Sequence, residues 1–215
     1  MKLIDISMEI SGDMPVYKGR SAKRPIITLD SDFSDGGVYE SRLEMNLHTG
    51  THFDAPLHMI PGGDTTGSIM LEQTVRKCKV LDFSRAEDKI ARSDLASKDI
   101  QPGDFVLLKT KNSELGILEG NFIYLDTTGA VYLRERGVVG VGIDALGIEH
   151  SQPGHETHKI LLSAGILILE GLRLKSVDEG EYYLIAAPIK IAGAEAAPVR
   201  AFVAGTEGFF AKNQT

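Results

Sequence analysis

The sequence predicts an α/β fold in which strands outnumber helices. Short segments rich in β-branched and aromatic residues recur along the whole chain, whereas few segments combine a helix start signal with a stop signal. The spacing of the strand-like segments is irregular, which argues against a repeating βαβ barrel. Periodicity alone supports this fold class but does not predict how the strands and helices are arranged.

Each predicted strand is an apolar run, or an alternation of apolar and polar residues, bounded by turn-forming residues. The last run before Glu170 is continuously apolar, as expected for a strand buried on both faces. The predicted strands are residues 3–10, 24–29, 41–48, 77–83, 104–110, 122–126, 138–144, 165–170, 182–191 and 199–204.

The predicted helices have recognisable ends. Ser93 is a suitable N-cap for a short helix through Lys98. Thr127 or Thr128 starts a second helix, which ends near Gly137. A third helix begins around Glu156 and stops at Gly165.

The size and composition of the chain are those of one globular domain. Its 215 residues are 42% hydrophobic and 25% charged, which suffices for a sizeable core. No linker-like spacer, low-complexity tract or internal repeat interrupts it. We therefore expect a single domain over residues 1–215.

The charge pattern and the cysteine count limit the partners and the compartment. The formal net charge is -7 and the basic residues are scattered, so a nucleic-acid surface is not expected. No apolar run approaches the roughly 20 residues needed to span a membrane, and the amino terminus lacks the pattern of a signal peptide. Cys78 is the single cysteine, a small apolar residue of a strand, and a reducing cytoplasm is the expected compartment.

All six histidines fall in two short windows of the sequence. The first window holds His48, His52 and His58, and the second, residues 150–158, holds the other histidines. A lone histidine is usually a satisfied polar group, but clustered histidines with nearby carboxylates favour a metal site.

The first window needs a bend if its side chains share one ion. Apolar and polar residues alternate over residues 43–48, which predicts a half-buried strand with His48 on its polar face. Six residues of straight strand would separate His48 from Asp54 by roughly 20 Å. Gly50 can take a positive φ and turn the chain, and Pro56 stops regular strand pairing. A tight turn after a strand is therefore favoured over a helix.

The second window combines a helix with a strand end. His155 and His158 are three residues apart on the predicted helix, and at most one of them needs to face a metal. The strand behind this helix ends at Glu170. Two explanations for this carboxylate stay open: the strand emerges into solvent there, or a metal ion neutralises the charge.

The sequence resembles the metal-dependent cyclase family, which includes bacterial kynurenine formamidases and isatin hydrolases. HTGTHFDAPLH, residues 48–58, fits the family signature H-x-G-T-H-x-D-x-P-x-H. PGDFVLLKT, VVGVGID, HKILLSAGILILEGL and PIKIAGAEAAPVRAFV are similar to further family blocks, so the likeness covers most of the chain. The resemblance implies a swivelling β/β/α-type domain, a central mixed sheet with flanking helices, in a homodimer or larger homo-oligomer.

The resemblance also implies a metal site. Its ligands would be His48, His52, Asp54, His158 and Glu170. In the formamidases Asp54 and Glu170 would bridge two zinc ions, whereas the isatin hydrolases use manganese with one ion. A ligand set of nitrogen and oxygen without thiolate suits zinc or manganese.

For the reaction, the resemblance makes His58 the general acid and base. The expected chemistry is attack of a metal-activated water on an amide or formamide carbonyl, with His58 taking a proton and returning it to the leaving nitrogen. Tyr17 falls where the formamidases carry an aromatic residue near the substrate, often tryptophan, which this chain lacks. Tyr17 either stacks on an aryl ring or packs a turn.

Three functions follow, in order of preference. The first is an arylformamidase acting on a small molecule, with N-formylkynurenine as the best candidate. The second is a hydrolase that opens a cyclic amide, imide or lactone. The third is a non-catalytic module that binds a metal or small ligand; His58 argues against it, because storage needs no poised acid and base.

Overall fold

The computed structural model describes residues 2–34, 37–116, 118, 120–150 and 152–206. Its strands are β1 (Leu3–Asp5), β2 (Ile26–Ser31), β3 (Glu40–Glu44), β4 (His52–Asp54), β5 (Val75–Phe83), β6 (Lys89–Ile90), β7 (Phe105–Thr110), β8 (Tyr124–Leu125), β9 (Gly140–Ile143), β10 (Leu167–Glu170), β11 (Gly180–Ile185), β12 (Ala196–Pro198) and β13 (Phe202–Gly205). Its α-helices are α1 (Leu71–Thr74), α2 (Arg92–Leu95), α3 (Lys111–Leu115), α4 (Thr127–Arg136) and α5 (Glu156–Ser163).

One large mixed sheet organises the molecule, as the predicted class requires. Its strand order is β1-β13-β11-β5-β7-β9-β10-β4-β12. The pairs β5–β7, β7–β9 and β9–β10 are parallel, and the remaining pairs are antiparallel. The short strands β2–β3 and β6–β8 form separate two-stranded sheets.

The central strands are continuously apolar because both faces of the sheet are covered. All six residues of β7 are buried. Val106 and Leu108 belong to the apolar cluster that includes residues of α4 and α5, whereas Phe105 and Leu107 belong to the cluster on the opposite face. This alternation follows from the two-residue period of a strand.

The helix predictions succeed best where the ends carry a clear signal. α4 begins at Thr127 and its following residue Gly137 has a left-handed backbone, as predicted. The cap itself is Asp126, whose side chain accepts a hydrogen bond from the Gly129 amide. Ser93 is not a cap: α2 begins at Arg92, one residue earlier, after Ala91. No helix in the described part of the chain is long and apolar enough to cross a membrane.

The half-buried strand predicted over residues 43–48 is wrong. β3 ends at Glu44, and all of its residues are exposed. It pairs only with β2 in a ribbon apart from the main sheet, so no layer covers its apolar side chains. His48 consequently lies in the turn that follows, not on the polar face of a strand.

Gly171, directly after β10, is required for the close approach of two backbones. Its φ is +71°, and a Cβ atom there would lie 2.3 Å from the carbonyl oxygen of Gly50. We expect Gly171→Ala to destabilise the fold by about 2–4 kcal/mol, the sum of left-handed strain and overpacking. Chemical denaturation measures this loss.

Gly165 supplies the matched control for that substitution. It has the same φ of +71°, but a Cβ atom added there would meet nothing within 4 Å. Gly165→Ala should therefore cost only the backbone strain, about 1 kcal/mol. Equal losses for the two variants would contradict the close approach at Gly171.

Candidate metal centre

Strand pairing between β4 and β10 brings the two sequence windows together. The pair is antiparallel, with Glu170 directly opposite His52 and Ile168 opposite Asp54. Side chains two residues apart on a strand point to the same face, and directly opposed residues share a face. His52, Asp54 and Glu170 therefore converge on one side of the sheet.

A turn ahead of β4 delivers His48 to the same place. The Thr49 amide donates to the Asn46 carbonyl over 3.0 Å, and Gly50 has a φ of +74°. The predicted bend at Gly50 is therefore confirmed. His48 Nδ1 lies 2.9 Å from Asp54 Oδ1.

Helix α5 contributes His158 from the other side of the site. Its Nε2 lies 3.2 Å from Glu170 Oε1 and 3.4 Å from Asp54 Oδ2. The side chain is 7% exposed, whereas that of His155, three residues earlier, is 53% exposed. Only one of the two helical histidines faces the cluster, as the spacing predicted.

The cluster is suited to hold a divalent cation. His52 Nε2 lies 3.4 Å from Asp54 Oδ1 and 3.5 Å from Glu170 Oε2. Among the described residues, neither this nitrogen nor either Asp54 oxygen has a hydrogen-bond partner, although all three atoms are buried. Buried polar atoms without partners are costly, and an ion bound between them would satisfy all three.

The burial of Glu170 excludes one of the two explanations left open for it. This residue is 4% exposed, so the strand does not emerge into solvent there. The backbone amide of Ile148 donates to one of its carboxylate oxygens. The same residue thus faces the histidines and is fixed by the loop after β9.

Contacts to the far nitrogens of the imidazoles orient the candidate ligands. His52 Nδ1 is 2.9 Å from the Gly50 carbonyl oxygen, so it donates and leaves the lone pair on Nε2. His158 Nδ1 lies 3.0 Å from Glu149 Oε1, which leaves Nε2 to face Asp54 and Glu170. Both rings therefore present Nε2 to the centre of the cluster.

The ionisation of the cluster reflects its opposite charges. Burial opposes the charged carboxylate of Asp54, but contacts with His158, His48 and His52 hold its pKa well below the usual value. Burial likewise opposes the imidazolium of His158, but Asp54, Glu149 and Glu170 raise its pKa well above the usual value. The Asp54 carboxylate is therefore ready to bind a cation at neutral pH, in competition with protons on the imidazoles.

His58 lies beside the cluster and borders the cavity in front of it. It ends the turn Pro56–His58, whose proline occupies the first turn position. Its ring centroid is 4.0 Å from that of His48 and 5.7 Å from that of His158. Burial lowers the pKa of His58, so the imidazole is neutral at neutral pH and able to accept a proton.

The cavity in front of the cluster also reaches Tyr17. This half-buried side chain lines the cavity together with His48, His58, Glu149 and other residues of the site. Its ring lies 6.3 Å from that of Phe122. Tyr17 thus both packs against the protein and borders the space where a substrate would lie.

The two remaining histidines differ in their surroundings. The His150 ring lies between those of Phe122 and Tyr124, at 4.8 and 5.9 Å, and does not border the cavity. His155 Nδ1 lies 2.6 Å from Glu149 Oε1 and borders the cavity. Neither belongs to the cluster around Asp54.

Glu149 is a candidate site residue that the sequence did not reveal. It is 2% exposed, and its carboxylate accepts a hydrogen bond from the Thr157 amide over 3.0 Å while contacting His155 and His158. The histidine contacts lower its pKa despite its burial. The sequence did offer one signal for this residue. It is acidic, it follows the end of a predicted buried strand, and it comes shortly before the two helical histidines.

Comparisons with known proteins identify the family of this chain. A profile of the family described as putative cyclase matches residues 4–150. A kynurenine formamidase of Salinibacter ruber is 34% identical over 209 residues, covering 94% of this chain and 96% of its own. A kynurenine formamidase of Bordetella pertussis is 33% identical over 202 residues, covering 93% and 96%.

Solved structures show the same fold. A predicted metal-dependent hydrolase from Bacillus stearothermophilus has a TM-score of 0.86 and 49% identity, covering 94% of this chain and 97% of its own. Isatin hydrolase A from Labrenzia aggregata has a TM-score of 0.84 and 24% identity, covering 96% and 94%. At that identity the second likeness shows the fold alone.

Proposed function

The chain belongs to the putative cyclase family, and we propose that it is a metal-dependent arylformamidase with N-formylkynurenine as its first candidate substrate. Hydrolysis of a carbon–nitrogen amide bond is the activity of its relatives. One observation carries the proposal: two histidines, Asp54 and Glu170 converge on a buried cluster in which His52 Nε2 and both Asp54 oxygens lack a hydrogen-bond partner among the described residues. Residues 1–215 would form one catalytic domain, acting in the cytoplasm.

The metal would be zinc, as one or two ions, or manganese. His48, His52, Asp54, His158 and Glu170 would hold it, because their nitrogen and oxygen atoms are the donors that these metals accept. When bound, the ion activates a water molecule and polarises the carbonyl of the scissile amide. Two carboxylates offset part of the positive charge.

His58 would move the protons of the reaction. Its neutral imidazole accepts a proton from the attacking water and later donates it to the leaving nitrogen. Tyr17 would orient an aryl ring in the cavity by stacking. The second candidate function, opening of a cyclic amide, imide or lactone, would use the same residues, and the fold shared with isatin hydrolase A favours keeping it.

Metal analysis combined with a substrate panel tests this function. We expect the purified protein to hold zinc or manganese and to hydrolyse N-formylkynurenine, and chelation to abolish turnover. Hydrolysis of isatin but not of N-formylkynurenine would select the second candidate. A metal-loaded protein inert toward aryl formamides and cyclic amides would favour the non-catalytic module.

Glu149 is expected to strengthen metal binding through His158. Its carboxylate polarises the far nitrogen of the imidazole and fixes the ring, and such outer contacts are worth about 10–100-fold in affinity or activity. We expect Glu149→Gln to raise the metal dissociation constant by about that factor, measured by competition with a chromophoric chelator. Glu156→Gln, an exposed change on α5, is the control, and equal affinities would contradict this role.

We further propose that two copies of the chain associate through the β2–β3 ribbon. Ile27 and Leu29 alternate on one face of β2, and Ile27 pairs with Leu43. These side chains are 55%, 47% and 51% exposed in the single chain, so association would remove an apolar face from water. Sedimentation should find a dimer or larger oligomer that Ile27→Glu weakens; an unchanged assembly would contradict this interface.

A further inference from the structure

Three cationic side chains line the cavity in front of the proposed metal centre. Lys18, Arg20 and Lys23 come from one segment, residues 17–23, which forms two consecutive single turns. The formal net charge of the chain is -7, so this local cluster of positive charge is opposite in sign to the charge of the whole chain. None of the three cations has a place in the hydrolytic mechanism described above.

None of these cations forms an ion pair with a carboxylate among the described residues. The two acidic residues that line the same cavity are already engaged. Glu170 contacts His52 and His158 and accepts from the Ile148 amide, whereas Glu149 contacts both helical histidines. The cavity therefore offers positive charge without a matching protein anion.

The cationic segment is held in place. The Thr49 hydroxyl donates to the Lys23 carbonyl over 2.8 Å, which ties the segment to the turn that carries His48. The Gly19 amide donates to the Val16 carbonyl over 2.9 Å. Because the backbone that carries the cations is held, binding an anion there costs less loop entropy than binding it on a mobile loop.

Two residues with a strained backbone line the same cavity. Lys18 and His155 are the non-glycine residues with positive φ in the described chain, at 57° and 53°, and both line it. A lysine in the left-handed region costs free energy, and such strain clusters at binding and active sites. The left-handed backbone of Lys18 forms part of the turn Tyr17–Gly19, which borders the cavity.

From these observations we infer that Lys18, Arg20 and Lys23 bind a carboxylate of the substrate and so select for amides that carry one. The inference rests on the proposed function and names the residues that would recognise the charged group of its substrate. Arg20 presents a planar guanidinium that matches a carboxylate with two parallel hydrogen bonds, and the lysines add positive charge. Neutral amides of the same shape lack this interaction.

Matched substrates test the inference with the metal-loaded protein. Ortho- and para-formamidobenzoate are each compared with the corresponding formamidobenzamide, which has the same shape and no charge. We expect kcat/KM to favour at least one carboxylate by about tenfold or more, as hydrogen bonds to charged groups allow. Raising the salt from about 0.01 M to about 1 M should reduce that preference, because the screening length falls from about 30 Å to about 3 Å.

A charge-neutralised variant assigns the preference to its residues. Lys18→Gln, Arg20→Gln and Lys23→Gln together should raise KM for the carboxylate by about tenfold and remove the preference. The matched control replaces Lys77, Arg134 and Lys175 with glutamine, which removes the same charge from exposed positions outside the cavity and should keep the preference. If the triple variant does not fold, Arg20→Gln alone is compared with the wild type and should weaken the preference for the carboxylate.

A binding measurement separates this inference from the proposed function. Calorimetry with para-aminobenzoate and para-aminobenzamide needs no turnover. If neither formamide is hydrolysed, the proposed function fails, while tighter binding of the carboxylate that the triple variant loses still supports the cationic site. Equal binding or equal kcat/KM for the charged and neutral members, or a preference that survives in the triple variant, overturns the inference.

Discussion

Asp54→Asn is expected to empty the proposed metal centre and to abolish hydrolysis with it. Asp54 lies between three imidazoles, with nitrogens 2.9 to 3.4 Å from its two oxygens. Asparagine keeps the shape but replaces one acceptor oxygen with a donor and removes the negative charge. Since outer contacts of a metal are already worth about 10–100-fold, loss of this central ligand should reduce activity by more than about a hundredfold.

Elemental analysis after dialysis measures this effect directly. The variant should retain less than a tenth of the wild-type metal at equal protein concentration, an expectation of order tenfold that follows from the loss of a ligand charge. Asp64→Asn, an isosteric change at an exposed aspartate later in the same region, is the control and should retain metal and activity. Full metal content in Asp54→Asn would exclude this carboxylate from the centre.

His58→Ala is expected to reduce turnover while the metal stays bound. The imidazole borders the cavity but is not needed to complete the ligand set around Asp54. General acid and base catalysis contributes about 10²–10⁴-fold, so kcat should fall by that factor. This outcome differs from that of Asp54→Asn, in which metal and activity disappear together.

The matched change for His58 is His150→Ala. His150 packs against Phe122 and Tyr124 and does not border the cavity, so its loss should leave kcat close to that of the wild type. Thermal unfolding checks that both variants remain folded, and elemental analysis checks that both hold metal. Full activity of metal-loaded His58→Ala would show that another group moves the proton.

Local sequence signals predicted several parts of this protein. The start of α4 and the left-handed glycine after it were predicted because capping depends on neighbouring residues. The bend at Gly50 and the end of β4 before Pro56 were predicted because these residues restrict their own backbones. The confinement of the histidines to two windows pointed to a shared site.

The prediction of a half-buried strand over residues 43–48 failed for a physical reason. Alternation of Leu43, Met45 and Leu47 shows only that one face is apolar, not that another layer covers it. In the structure β3 pairs with β2 alone and ends at Glu44, Leu43 is exposed, and Met45 and Leu47 are only partly buried. Burial depends on what packs against a strand, which local periodicity does not contain.

By itself, the sequence determined the class of fold, the residue types that bind a metal, and the family to which the signature belongs. Tertiary structure alone decided that β4 lies between β10 and β12, that Glu170 faces His52, and that Glu149 contacts His158. It also brought the cations of residues 17–23 to the same cavity. These arrangements join segments far apart in the chain, and their pairing is fixed by which faces can be buried together rather than by any local pattern.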